Sequence, residues 1–198
     1  VLAAAVVPED TAAVAMRDDQ GRQGFNEVGR PEPRLDLRLR HAGLEQAELI
    51  VLVGSNTAWC HPVIYQRISQ AKRERPALKI VVIDPRRTVT CDIADLHLPI
   101  QPGSDTLLFN GLLQFLSDTG RVDDAFVAGS TRGVNDALQQ ARASASSLTA
   151  IADRCGLHEG DLRQFYSWFA NHERVVTLYS QGVNQSSYGT DKVNSIIN

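Results

Sequence analysis

Apolar residues in this chain cluster in three short unbroken runs, and the stretches between them are amphipathic. The runs are 48–53 (ELIVLV), 78–83 (LKIVVI) and 175–179 (VVTLY). Runs of this length, rich in Val and Ile and without polar alternation, suit strands covered on both faces. Between the first two, 61–75 carries Val63, Ile64, Ile68 and Ala71 at helical spacing, and Pro62 fits a first helical turn. Strand, helix and strand within 48–83 form a βαβ unit, whose two strands should be parallel.

Further along, 95–100 (DLHLPI) alternates and predicts a short strand. Pro102-Gly103-Ser104-Asp105 then reads as a turn into a helix. Ser104 or Asp105 would cap it, Leu107, Leu108, Leu112, Phe115 and Leu116 would face the core, and Gly120 would end it. The region 123–171 is mostly helical by pattern. It has an Ala- and Gln-rich stretch at 135–145 and a short helix at 149–154 stopped by Gly156. At 161–170, Leu162, Phe165, Tyr166 and Phe169 share one side. The fold class expected is α/β: a Rossmann-like parallel sheet with flanking helices. Residues 1–43 differ. The stretch 17–40 is highly charged with no sustained period, so 1–43 reads as a divergent or disordered lead-in.

Composition narrows the function classes. The 198 residues are enough for one sizeable domain or a piece of something larger. A formal net charge of -3 supplies no global basic field for nucleic acid. No apolar run approaches the ~20 residues of a membrane span. The opening VLAAAVV lacks the basic start of a secretory signal. Cys60, Cys91 and Cys155 are scattered without a CxxC or a metal-ligand spacing, so no metal site is assigned. Such a set suits a reducing compartment, and a cytoplasmic location is expected.

The chemistry concentrates where strands end. Gly54-Ser55-Asn56 offers backbone N–H groups and an amide at a helix entry, a place that suits phosphate. Asp84, ending the next strand, can accept from a ribose hydroxyl or a base edge, and Arg86 and Arg87 can meet a pyrophosphate. The third strand empties into Ser180-Gln181-Gly182-Val183-Asn184-Gln185, which rhymes with the first. Each feature has a plainer reading. Gly-Ser-Asn and Asp-Pro are common turns, the arginines can be solvated, and GxGxxG is absent. His61 reads as a cap or packing residue, His97 as a packed or water-facing strand residue, and Cys60 as either a reactive thiol or a buried one. The aromatics Phe165, Tyr166, Trp168 and Phe169 read as a packed helix face.

Five ordered stretches together resemble one family. They are 53–62 (VGSNTAWCHP), 82–88 (VIDPRRT), 94–99 (ADLHLP), 102–105 (PGSD), and 182–187 (GVNQSS) with 189–194 (GTDKVN). Their order resembles the large catalytic subunit of prokaryotic molybdopterin oxidoreductases, the DMSO reductase superfamily. Within it, Ala-Trp-Cys-His-Pro and Asn-Gln-Ser-Ser look most like assimilatory nitrate reductase, with formate dehydrogenases as near neighbours. The likeness covers roughly 44–198.

The resemblance implies a bis(molybdopterin guanine dinucleotide) cofactor with molybdenum, gripped by two α/β domains of the formate dehydrogenase/DMSO reductase type. It assigns Gly54, Ser55, Asn56, Thr57 and His61, with Asp84, Pro85, Arg86 and Thr88, to one guanosine diphosphate arm. Gly103 and Asp105 complete that pocket, and Gln181, Gly182, Asn184 and Gln185 approach the second pterin. Residues 44–172 would form one α/β domain and 173–198 the start of a neighbouring one. The implied reaction is nitrate to nitrite, fed by an electron-donor protein or module.

Departures from the family pattern are also visible. No cysteine precedes Cys60, so neither an iron–sulfur cluster motif nor a molybdenum-ligating cysteine, whose place falls near Gln20, is present. A further barrel-like domain is also missing. The chain is therefore expected to be a fragment, inactive alone. Two other readings stay open: the central domain of a thiamine-diphosphate enzyme, and a binding module without catalysis.

Overall fold

All four expected strands form, and a fifth joins them. The computed structural model of the chain describes residues 3–6, 43–144 and 147–197. In chain order the elements are β1 (Ala3–Val6), a helical turn α1 at 43–46, β2 (Leu49–Val53), α2 (Thr57–Cys60), α3 (Pro62–Glu74) and β3 (Lys79–Ile83). A 3-10 turn (Val89–Ile93), β4 (Leu96–Leu98), α4 (Asp105–Asp118), α5 (Asp124–Ser130) and α6 (Val134–Ser144) follow. The chain continues with α7 (Leu148–Cys155), α8 (Glu159–Asn171), β5 (Val175–Tyr179), α9 (Gln181–Asn184) and α10 (Gly189–Ile197). The one-turn helix α2 and the 3-10 turn escaped the sequence pattern, because neither is long enough to show a period.

The sheet order is β1-β5-β2-β3-β4. β2 pairs in parallel with both β3 and β5, β4 extends the parallel set beyond β3, and β1 lies antiparallel on β5. Residues 173–198 were expected to open a neighbouring domain. Instead β5 sits in this same sheet, in register with β2 from Leu49↔Val175 to Val53↔Tyr179. Of the lead-in call over 1–43, only Ala3–Val6 and residue 43 fall among the described residues; the remainder lies outside them.

Unbroken apolar runs now have their explanation. Leu49, Val51, Val53, Val81 and Ile83 face a core built with α4, α7 and α8. Ile50, Leu52, Ile80 and Val82 face the other way, onto Ile68 and Ala71 of α3 and onto Leu44 and Leu78. Successive strand residues point to opposite faces, so a sheet covered twice needs apolar residues at every position. Full burial of each such side chain is worth about 2 kcal/mol. The faces are filled in a definite order. From β2 the chain moves through α3 to β3, with α3 on one face. Returning from β4 to β5 reverses direction along the sheet, so a right-handed crossover must pass over the opposite face. That is where α4, α7 and α8 pack.

The edge where the strands begin is stitched by charge. Glu48 accepts from the backbone N–H of Glu173 (3.1 Å) and Arg174 (3.3 Å) and pairs with the Arg174 guanidinium at 2.7 Å. The Arg174 backbone bond, more than any other contact, holds its carboxyl below the ordinary glutamate range. On the α4 side, Tyr166 is fully buried and its hydroxyl donates to the Leu108 carbonyl at 2.6 Å. Burial pushes that phenol well above the ordinary tyrosine range.

Gly111 lets α4 approach this tyrosine. A Cβ there would lie 2.5 Å from the Tyr166 hydroxyl oxygen and 2.6 Å from Ile151 Cδ1. Gly111→Ala should therefore destabilise by about 1–2 kcal/mol, overpacking outweighing the better helix propensity of alanine. A thermal melt should show Tm lower by roughly 3–6 °C; an unchanged or higher Tm would contradict this packing.

Candidate functional site

β5 is the strand that makes a crevice. β3 and β4 lie on one side of β2, and β5 lies on the other. Chain leaving β2 enters α2 and α3 on one face. Chain leaving β5 enters α9 and α10, whose Val183, Val193 and Ile196 join the opposite core. Connections that part to opposite faces leave a gap beyond the carboxyl ends of two adjacent strands, and ligands of open α/β sheets bind in such gaps.

The two rhyming strand ends meet here. The Gly54 N–H donates to the Ile83 carbonyl at 2.8 Å, Ser180 N–H to Val53 at 3.2 Å, and Gly182 N–H to the Gly54 carbonyl at 3.0 Å. Gly54 has φ +52, a conformation that favours glycine. A Cβ on Gly182 would sit 2.7 Å from the Gly54 oxygen, so neither residue tolerates a side chain.

Around this contact the expected residues divide. Asn56 is half-buried, and its Oδ1 accepts from the Thr90 hydroxyl at 3.3 Å; that hydroxyl also accepts from Ala58 N–H at 3.1 Å. Ser55 and Thr57 are buried and hydrogen-bond each other at 2.8 Å, so their hydroxyls do not face the crevice. Asp84 is 4% exposed, and its Oδ1 accepts from the Arg86 backbone N–H at 2.9 Å. The Arg86 guanidinium is 3.5 Å from the same carboxylate and largely solvated. Pro85 is exposed and Thr88 half-buried. His97 contacts the Asp84 carbonyl through Nε2 at 2.9 Å, which settles it as a packed residue of this corner. His61 is half-buried, and its Nδ1 is enclosed without a hydrogen-bond partner among the described residues. Gln181, Gly182, Asn184 and Gln185 are exposed. Cys60 is exposed, not buried.

Gly103 is exposed at φ +93, a turn conformation, with open space beside its missing Cβ. Asp105, assigned by resemblance to the pocket, is 6% exposed and pairs with Lys192 Nζ of α10 at 2.8 Å. Neither Ser104 nor Asp105 caps α4, because the Ser104 hydroxyl donates to the Gln101 carbonyl at 2.7 Å. Sequence reading passed over Thr90, which lies 34 residues from Asn56 with no local signal. It also passed over Lys192, which a pattern could have flagged: it lies three residues from Gly189 and from Ser195 on the buried side of α10.

Helix starts show a consistent contrast. Asn56, His61, Ser104 and Ser180 precede α2, α3, α4 and α9 at the carboxyl edge, and none makes a side-chain cap bond. Nor does His158, which starts α8 close to where Gln101 N–H binds the Cys155 carbonyl. Helices α5 and α7 start away from the edge and are capped by Asp123 and Ser147. The first N–H groups of a helix need acceptors. Thr90 already takes the Ala58 N–H of α2 and Gly54 the Gly182 N–H of α9, which leaves the longer helices α3 and α4 the better placed for an anion at this edge.

Two cavities lie away from this edge. One of about 130 Å³ is lined by Gly111, Phe115, Leu148, Ile151 and Tyr166 among others. Another of about 300 Å³ lies between 45 and α3. Among the described residues no cluster of His, Cys, Asp or Glu could hold a metal, and no helix is long and apolar enough to cross a membrane.

Comparison with known proteins decides the family. The molybdopterin oxidoreductase family model matches residues 10–198. The chain belongs to the molybdopterin oxidoreductases. This match reaches back into the lead-in that sequence reading had set apart from the family. A nitrate reductase from Klebsiella oxytoca is 50% identical over 157 residues, 78% of this chain and 17% of that protein. The F420-dependent formate dehydrogenase subunit alpha of Methanocaldococcus jannaschii is 31% identical over 155 residues, 78% of this chain and 22% of its own. Acetylene hydratase from Pelobacter acetylenicus shares the fold, with TM-score 0.66 at 19% identity, covering 81% of this chain and 24% of that one. The chain thus spans about a fifth of these family members, and molybdopterin with molybdenum is the cofactor of its family.

Two tests follow from the molybdopterin oxidoreductase geometry. Gly182→Ala should cost about 2 kcal/mol or more, since the atoms it meets are backbone, and Tm should drop by at least ~4 °C; a wild-type Tm would refute the contact. Ser147→Ala should cost about 1 kcal/mol and Ser104→Ala only a few tenths, because Ser104 caps nothing. Equal losses in denaturant titrations would undo the contrast between edge and outer helices.

Proposed function

We propose that this chain is a guanine-dinucleotide-gripping part of a molybdenum nitrate reductase catalytic subunit, and that the cofactor is the bis(molybdopterin guanine dinucleotide) form. The observation that carries the reading is the crevice itself: strand ends pressed together at Gly54 and Gly182, ringed by helix starts without side-chain caps. The donor set fits the group. A pyrophosphate wants N–H donors and an exposed guanidinium, and the start of α3 with Arg86 offers both. A guanosine wants a fixed acceptor, and Asp84 is held at the β3 end by the Arg86 N–H. The enclosed, unpartnered Nδ1 of His61 leaves one polar atom for the ligand to satisfy.

When bound, the molybdenum centre supplies two-electron oxygen-atom transfer from nitrate. This chain's own residues bind and orient. Asn56, steadied by Thr90, fixes the loop after β2. The exposed amides of Gln181, Asn184 and Gln185 offer donors and acceptors to pterin edges. Gly103 lets the chain turn toward α4. Pro85 and Thr88 shape the loop carrying Arg86. Nitrate is favoured over formate because identity to the nitrate reductase far exceeds that to the formate dehydrogenase over the same share of this chain. The thiamine-diphosphate reading has no support in the family match. We place the protein in the cytoplasm on its three free cysteines, with an electron-donor protein or module as partner to the longer polypeptide.

Calorimetry with GDP tests the grip on the chain as it stands. Asp84→Asn should weaken GDP about tenfold. Arg86→Ala should weaken GDP several-fold but leave guanosine unchanged, since its loss removes a phosphate contact. Unaltered GDP affinity in both variants would reject the assignment, and the 198 residues alone should reduce no nitrate.

A further inference from the structure

Asn56 stands where a side chain ordinarily caps a helix, and it does not cap. An asparagine in that place gives its side-chain oxygen to an N–H of the first turn. Here the Ala58 N–H goes instead to the Thr90 hydroxyl, 32 residues along, at 3.1 Å. The Trp59 and Cys60 N–H groups go to the Asn56 backbone carbonyl. Thr90 thus does the capping from across the corner, and the Asn56 side chain is released from it. Thr90 is fully buried in the 3-10 turn that follows the loop carrying Asp84 and Arg86.

The single proton of the Thr90 hydroxyl then sets the direction of the Asn56 amide. A hydroxyl has one proton to give. With the Ala58 N–H aimed at Oγ1, that proton goes to Asn56 Oδ1 at 3.3 Å, and among the described residues nothing else accepts it. Turning the amide over would set Nδ2 against Oγ1. The hydroxyl would then face two donors, with its own proton buried and unaccepted, which folded proteins rarely tolerate. An amide's O and N are told apart by this kind of accounting. With Oδ1 held, Nδ2 is the end left over. No described residue accepts from it, and it is not sealed from solvent.

We propose that Thr90 is a positioning residue: its hydroxyl fixes the Asn56 amide with Nδ2 outward at the crevice, so that this position selects a hydrogen-bond acceptor, an oxygen of the nucleotide, over a donor. This deepens the cofactor reading above and rests on it. Thr90 acts through Asn56, and in doing so it ties the loop after β2 to the turn after β3.

The test uses the full chain. Thr90→Val keeps the volume and removes the hydroxyl, and Thr90→Ser keeps the hydroxyl. GDP calorimetry is read beside hydrogen exchange at the Ala58 N–H, followed by NMR. Thr90→Val should weaken GDP roughly fivefold and speed Ala58 exchange about tenfold or more, and Thr90→Ser should bring both back near wild type. Placed on Asn56→Ala, Thr90→Val should cost GDP affinity no further, because its effect passes through the missing amide. Asn56→Asp, which offers an acceptor where the donor stood, should lose more GDP affinity than Asn56→Ala. Wild-type GDP affinity in Thr90→Val or in Asn56→Asp would overturn the proposal. So would an undiminished loss on the Asn56→Ala background, which would make Thr90 a general stabiliser of the edge. If the unmutated chain ignores GDP, the cofactor reading fails on its own. Ala58 exchange then still decides whether Thr90 holds this corner: unchanged exchange in Thr90→Val overturns it, and faster exchange restored by serine supports it.

Discussion

Two glycines in backbone contact govern this molecule. Gly54 and Gly182 close β2 and β5 onto each other just past their last paired residues, Val53 and Tyr179. Any side chain at either position would wedge the strands apart. Because the strands cannot separate, the segments leaving them must diverge at once to opposite faces. The crevice is the geometric consequence of that forced divergence, and each donor at the edge takes its place from it.

Hydrogen-bond economy separates this edge from the rest of the chain. Away from it, side chains satisfy helix starts: Asp123 accepts from the Phe126 N–H of α5 and Ser147 from the Ala150 N–H of α7. Along the edge, polar side chains look elsewhere. Ser104 turns back to Gln101, Ser55 and Thr57 bond each other, and Asn56 bonds Thr90. The result is an edge whose helix starts, apart from the Ala58 N–H held by Thr90, carry no side-chain cap. Main-chain donors are rigid and need no reorganisation when an anion arrives, which suits a cofactor held for the lifetime of an enzyme. The two buried thiols play no part in this. Burial raises Cys91 and Cys155 above the ordinary cysteine range, so neither offers a ready thiolate.

Local chemistry pointed to the strand-end residues of the candidate site, and what it could not give were the contacts made in tertiary structure. Gly54, Asn56, Asp84, Arg86 and Gly182 were read from their positions at strand ends, and all lie at the same edge. The pairing of Asp105 with Lys192 was not legible, because the two lie 87 residues apart and no local pattern ties an acid in one helix start to a lysine in another. The hydrogen bond between the Ser55 and Thr57 hydroxyls was not legible either. Polarity in a sequence does not tell which way a short side chain points.

Taken alone, the order of residues determined the class of fold: unbroken Val- and Ile-rich runs demand a sheet buried on both faces, and the intervening periods demand helices to bury it. It also determined which residues could carry chemistry. Tertiary structure decided where β5 goes. An apolar strand of five residues pairs as well with any parallel neighbour, so its own sequence cannot choose a side of β2. Packing chose, through the right-handed crossover that sends α4, α7 and α8 over the second face. With that choice, two distant glycine loops became one site.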